Sequence, residues 1–342
     1  MNSDLGDIST LLIYGAMASY VVAMIAFAVD VSALGVGAPK DRRRRAAGIG
    51  LSTMWLGAGL QFAGIVVRGL AAGRVPWANM YEFTLMFTFF VVAIFLGLQT
   101  RRDMRYLGVA VAMLAFLALM LAVSVLYVEA DGVQPALRSY WLVIHVSVAT
   151  LATGLSGLAA IISIAQLVKA RSERASAGSA AMAASGSTAE VTSRATGGGT
   201  SVTSSAAAGG GRSATATAVA ETATEPGATF GSRIVGALPA SANMERLAYR
   251  LNAVGFVAWT FTLVAGAIWA EHAWGRPWGW DPKETWTFVI WVIYAAYLHA
   301  RVTTGWAAEK FAYFALVGFM AVLANFYIVN IFFSGKHSYA GV

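Results

Sequence analysis

The chain has 342 residues, of which 58% are hydrophobic and only 12% charged, with no cysteine and a net charge of +7. With a mean hydropathy of +0.65 it holds more apolar surface than one water-soluble core can hide, which excludes a soluble monomer and makes lipid the solvent. The missing thiol excludes disulfide scaffolds, thiolate metal centres and thiol redox catalysis, so any sulfur chemistry belongs to a partner.

A bilayer core takes about 20 apolar residues per helix, and eight such stretches lie near 9–29, 47–70, 80–99, 106–128, 140–168, 249–271, 286–301 and 311–333. The predicted fold is therefore all-α, a polytopic transmembrane helix bundle of about eight spans. Asp4 and Asp7 precede the first stretch and the run Arg42 to Arg45 follows it. That charge order is the reverse of a secretion signal, so the stretch is read as a retained helix. Eighteen of the 24 Lys and Arg fall on alternate connections, leaving Arg68, Arg74, Arg138, Arg276, Lys283 and Lys336 on the other side. The positive-inside rule then puts both termini outside the cytoplasm, as expected for a multi-pass protein of the cell membrane.

The spans form two blocks, 1–169 with five helices and 239–342 with three, joined by 170–238. Within 175–232, 47 of 58 residues are Ala, Gly, Ser or Thr, a composition that cannot build a core and predicts a flexible cytoplasmic linker. Ser241 opens a short amphipathic stretch through Arg250, predicted as an interfacial helix leading into the sixth span.

Chemistry-bearing residues collect at the outer face. Glu82, at the outer end of the third span, reads equally as a carboxylate favoured by the helix dipole or as the orienting partner of a histidine or arginine. His145 stands five residues into the fifth span, about 7 Å deep at ~1.5 Å per residue. Six of the eleven Trp fall between Trp269 and Trp291, around the loop 272–286. An aromatic belt accounts for single tryptophans, but not for Gly275, Gly279, Pro277 and Pro282 among them, nor for Asp281, Lys283 and Glu284. This combination predicts a rigid, flat aromatic shelf of Trp274, Trp278, Trp280 and Trp286, with Arg276 and Lys283 placed to meet carboxylates. A porphyrin fits such a shelf. His145 and His337, both near the outer face, suit two axial imidazoles on one iron. His299 lies thirteen residues beyond Trp286, about 20 Å inward, and marks a second site or a polar contact near Arg301. His272 reads as a solvated interfacial residue.

The run Trp274-Gly275-x-x-Trp278-x-Trp280-Asp281-Pro282-Lys283-Glu284-Thr285-Trp286 resembles the tryptophan-rich (WWD) signature of haem-handling membrane proteins. Its ending is most similar to the CcsA/ResC family, called CcsB in actinobacteria. The likeness continues at Asn79 to Glu82, at Ser139 to Trp141 leading to His145, at Gly266 to Ala270, at Tyr297 to Arg301 and at His337 to Tyr339. The resemblance implies cytochrome c maturation, in which haem b reaches the outer face and is joined through its vinyl groups to the reduced Cys-x-x-Cys-His thiols of apocytochrome c. It implies His145 and His337 as outer axial ligands. It also implies His299 as one ligand of a transmembrane haem site, the other coming from a ResB-type subunit with which the chain forms a holocytochrome c synthase, while separate proteins keep the acceptor thiols reduced. Two features depart from the family pattern: the 175–232 insertion and His272.

Two other functions are open to these residues. A solute or proton transporter would use Glu82, His145 and His299 as pathway groups, but would leave the tryptophans unexplained. An electron-carrying b-type cytochrome would need histidine pairs on both sides of the membrane, and the inner side has one histidine.

Overall fold

The computed structural model describes residues 3–130, 139–195, 229–333 and 335–336, and every regular element among them is helical. In chain order these are α1 (Ser3–Gly35), α2 (Lys40–Ala72), α3 (Met80–Gln99), α4 (Gly108–Ser124), α5 (Tyr140–Ala195), α6 (Phe230–Gly236), α7 (Ser241–Trp274), α8 (Pro282–Thr303), α9 (Ala308–Leu323) and α10 (Val329–Phe332). A π-helical turn, Ala324–Ile328, joins the last two. In hydrocarbon a helix satisfies its own backbone groups, which is why apolar runs of this length take no other form. Seven helical segments are long and apolar enough to cross a membrane. The eighth expected span, α8, has 22 residues but carries Lys283, Glu284, His299 and Arg301, and so falls short in apolarity. Large apolar side chains such as Leu11, Phe62, Val257, Val264 and Met320 point outward, as a lipid solvent demands.

Between α1 and α2 the packing is set by a ladder. Ile13, Tyr20 and Phe27 recur every seven residues on α1 and meet Gly64, Gly57 and Gly50, seven apart on α2. A Cβ at Gly57 would stand 2.6 Å from the Tyr20 ring. Lipid tails give helices no hydrophobic reason to associate, and small residues that admit close approach supply the contact instead. The bundle turns about α5, whose apolar window is 78% buried against 33–56% in the other spans. It packs on α3, α7 and α9, and so joins a large core in the first block to a smaller one formed with α7, α8 and α9.

Two expected boundaries shift. Helix α5 runs on past position 169 to Ala195, because the alanines that cannot form a core are strong helix formers; residues 196–228 of the expected linker lie outside the described ones. The stretch 241–250 is no separate interfacial helix, since α7 is continuous over 34 residues. At ~1.5 Å per residue that is about 51 Å against a hydrocarbon core of about 30 Å, so its first turns reach the headgroup layer. There the second block is tied to α5: Lys169 Nζ donates to the Val235 and Gly236 carbonyls at 3.0 and 3.1 Å, and Glu173 accepts from the Ser241 amide at 3.2 Å. The same end of the bundle holds the pairs Asp30–Arg43, Glu245–Arg301 and Glu309–Arg174.

Candidate functional site: a tryptophan-lined cleft

At the opposite end, α3, α5, α7, α8, the loop before α8 and the π turn enclose an open cleft with a cavity of about 150 Å³. Its walls include Trp77, Trp259, Trp269, Trp278, Phe83 and Phe326, and His145 is the histidine that lines it among the described residues. The imidazole is held on two sides. Its Nδ1 lies 2.9 Å from the Thr262 carbonyl and its ring stacks on Trp269 at 6.4 Å and 17°. A carbonyl only accepts, so the proton sits on Nδ1 and the lone pair of the neutral ring on Nε2, the arrangement of a metal-ligating histidine oriented by its backbone partner. The approach depends on Gly266, where a Cβ would stand 2.8 Å from His145 Cε1 and 2.9 Å from Nδ1.

The wall opposite is polar. Lys283 Nζ donates to Asn330 Oδ1 and sits 5.2 Å from the centre of the Phe326 ring, which stacks on Phe83 at 3.9 Å. The π turn, a form frequent at functional sites, carries Asn325, whose Nδ2 donates to Thr287 Oγ1 at 3.3 Å. Glu284 Oε2 accepts from the Gly279 and Asp281 amides at 2.7 and 3.2 Å. Three further atoms of cleft residues, Glu284 Oε1, Asn325 Oδ1 and Trp77 Nε1, are buried without a hydrogen-bond partner among the described residues. Buried polar atoms are rarely left so, and a donor and two acceptors suit a ligand carrying polar groups.

The tryptophan run does not form the flat shelf expected from sequence. Trp278 meets Trp280 at 89° and Phe288 at 82°, and Trp274 meets Trp269 at 64°. Edge-to-face contact satisfies the ring quadrupoles better than coplanar packing, so the rings corrugate. Of the four tryptophans in the run, Trp278 is the one among the cleft walls; Trp274 lies behind Trp269 beneath Lys336, Trp286 is half-buried on α8, and Trp280 is 71% exposed. Trp280 also has φ +56°, a left-handed conformation costly for a bulky residue and persisting where neighbours hold it. Asp281 holds it, capping α8 in a reciprocal box with Glu284. The Arg276 guanidinium lies across Gly279, in the space that a side chain there would take.

Asp281 has a second task. Its Oδ2 accepts from the Lys336 amide at 2.7 Å and lies so near Gly335 that a Cβ there would approach to 2.3 Å. His337 is outside the described residues, but the chain leading to it is docked on the first turn of α8. Glu82 is not among the cleft walls. It is fully buried, bonded to Arg68 Nε at 3.2 Å and to Arg74 Nη1 at 2.8 Å, and also accepts from the Ala78 amide at 2.8 Å. Arg68, 1% exposed, is enclosed further by Tyr81 and Tyr127. His299 is exposed on α8, and Arg301 is not its partner, because that guanidinium is taken by Glu245 between Tyr249 and Phe311. His272 is exposed and bonded to the Ile268 carbonyl at 2.7 Å.

A polytopic helical membrane protein with a tryptophan-walled cleft around one oriented imidazole is the class that this fold and site define. The chain belongs to the Cytochrome C assembly protein family, whose model matches residues 77–337. It is similar to the cytochrome c biogenesis protein CcsA of Gloeobacter violaceus, 33% identical over 283 residues that cover 80% of this chain and 81% of that one. It is similar also to CcsA of Synechocystis sp., 31% identical with 80% and 82% covered, and of a Synechococcus sp., 32% identical with 85% of each covered. Among solved structures, a cytochrome c heme lyase, CcmF, shares the fold with a TM-score of 0.59 at 13% identity. The match covers 98% of this chain but 48% of CcmF, so the chain spans about half of that protein.

Proposed function

We propose that this chain is the membrane subunit of a cytochrome c haem lyase that brings haem b to the outer face and presents it for attachment to apocytochrome c. The observation that carries the reading is His145, oriented by Thr262 and Trp269 in a cleft whose aromatic walls and polar groups suit the face and edge of a porphyrin. Haem is here the substrate. His145 supplies one axial ligand and His337, on the segment docked by Asp281, the other. Arg276 and Lys283 serve as partners for the propionates, with Trp278 against the ring. Each acceptor thiol then adds across one vinyl group, sulfur bonding one carbon and the hydrogen going to the other. The reading places both termini and the cleft outside the cytoplasm of a bacterial plasma membrane, with thiol reductants acting on the acceptor. His299, on α8, serves an inner haem site completed by a ResB-type subunit. The transporter reading loses support, because Glu82, His145 and His299 do not line one cavity among the described residues.

The test is the absorption spectrum of the chain purified with its partner. His145→Ala and His337→Ala are each expected to weaken outer haem binding, with exogenous imidazole partly restoring the spectrum and the yield of haem-stained cytochrome. Wild-type maturation by both variants without imidazole would refute the axial assignment. His299→Ala is expected to lower haem reaching the outer site while leaving that site's affinity for supplied haem unchanged, because the ligand sets are separate. A titration with added haem reads this directly, and lost binding of supplied haem by a normally inserted variant would overturn the two-site reading.

A further inference from the structure

At the end of the bundle opposite the cleft, a second cavity of about 450 Å³ opens between the α3–α4 connection and the start of α7. Arg102, Arg246 and Arg250 line it together with Tyr106 and Asn243, over an apolar floor that includes Met104 and Leu247. Its charge is one-sided. The lining carboxylate, Asp103, is taken by Arg105 through two bonds of 2.8 and 2.6 Å. Among the described residues no carboxylate pairs with Arg102, Arg246 or Arg250.

Helix geometry explains why these arginines meet here. Glu245 and Tyr249 face α8, where Glu245 holds Arg301 and the Tyr249 ring lies near the same guanidinium. Each following residue is turned by about 100°, which carries Arg246 and Arg250 round to the α3–α4 connection. Two like charges one turn apart destabilise a helix, and no carboxylate among the described residues offsets them. An anion between them would.

We propose that this cavity binds the headgroup of an anionic phospholipid. A guanidinium fork matches phosphate oxygens, the apolar floor suits the start of an acyl chain, and the first turns of α7 extend beyond the hydrocarbon core into the headgroup layer. Basic pockets between transmembrane helices take such headgroups on the leaflet richest in anionic lipid. The site is separate from the cleft: Arg246 and Gly266 are twenty residues apart on α7, about 30 Å.

Native mass spectrometry of the full chain, titrated with cardiolipin, phosphatidylglycerol or phosphatidylcholine, tests this. Wild type is expected to retain the two anionic lipids and not the zwitterionic one. Arg102→Gln, Arg246→Gln and Arg250→Gln should each lower retention on the order of fivefold, and together on the order of a hundredfold. A variant neutralising Arg42, Arg44 and Arg45, basic residues outside the cavity, should retain lipid as wild type does. Unchanged retention in the folded triple variant would overturn the proposal, as would equal retention of phosphatidylcholine. Should the triple variant fail to fold, unchanged retention in all three single variants would do the same. Displacement of the lipid by inorganic phosphate at comparable concentration would reassign the site to free anion and refute the lipid.

Discussion

Glu82→Gln is expected to remove most of the folded protein from the membrane. The substitution keeps the shape of the side chain and deletes its charge, leaving Arg68 buried beneath Tyr81 and Tyr127. Breaking a buried ion pair from one side costs about 3–5 kcal/mol, since the surviving charge has neither water nor counter-ion. Here one carboxylate serves two guanidiniums and the Ala78 amide, and Arg68 Nη1 already lacks a partner among the described residues. Membrane abundance and the thermal midpoint in detergent measure the loss. Glu82→Asp should be intermediate. If the glutamine variant were as abundant and heat-stable as wild type, the triad would contribute nothing net.

Gly266→Val is expected to leave the fold in place and damage the cleft. A β-carbon at this position starts 2.8 Å from the His145 ring, so the imidazole must swing away from the Thr262 carbonyl and lose the bond that fixes its tautomer. Losing the partner that orients a ligating histidine typically lowers metal affinity about 10–100-fold, and haem retention should fall by that order. Gly266→Ala should show a smaller part of the same effect. Because the ligand is displaced and not deleted, added imidazole should rescue haem binding here too, with little change in membrane abundance. Full retention of haem by the valine variant would show that the orientation of His145 is immaterial.

Much of the architecture is legible without coordinates, because lipid leaves the backbone few choices: apolar length and alternating Lys and Arg give the helices and their order. The helix ends are legible as well, with Asp281-Pro282-Lys283-Glu284 reading as a cap before it is seen as one. The walls of the cleft are a different matter. Trp77, Trp259 and Trp269 look like belt tryptophans, and only the packing of α5 on α3 and α7 brings them round His145. Asn325 and Asn330, polar residues within an apolar span, were a signal that hydropathy averaging hides. The tryptophan run marks the right place but misleads on shape, because spacing along a loop carries no information about the angles between rings. Glu82 shows the reverse: its cost in lipid was evident, but its partners, 14 and 8 residues before it, become visible only when α2 and α3 are folded together.

That short separation bears on how the chain is made. Arg68 and Arg74 leave the ribosome ahead of their counter-ion, and at about 5–20 residues per second the 14 residues from Arg68 to Glu82 follow within about one to three seconds. Arg68 and Glu82 belong to consecutive helices joined by a seven-residue turn, 73–79, that carries Arg74, so the three can enter the insertion machinery as one hairpin with its charges already paired to a single net positive charge. The triad thereby sets the unit of membrane insertion: α2 and α3 go in together, and a stall between them would strand two arginines at the translocon without the carboxylate that makes them tolerable to lipid.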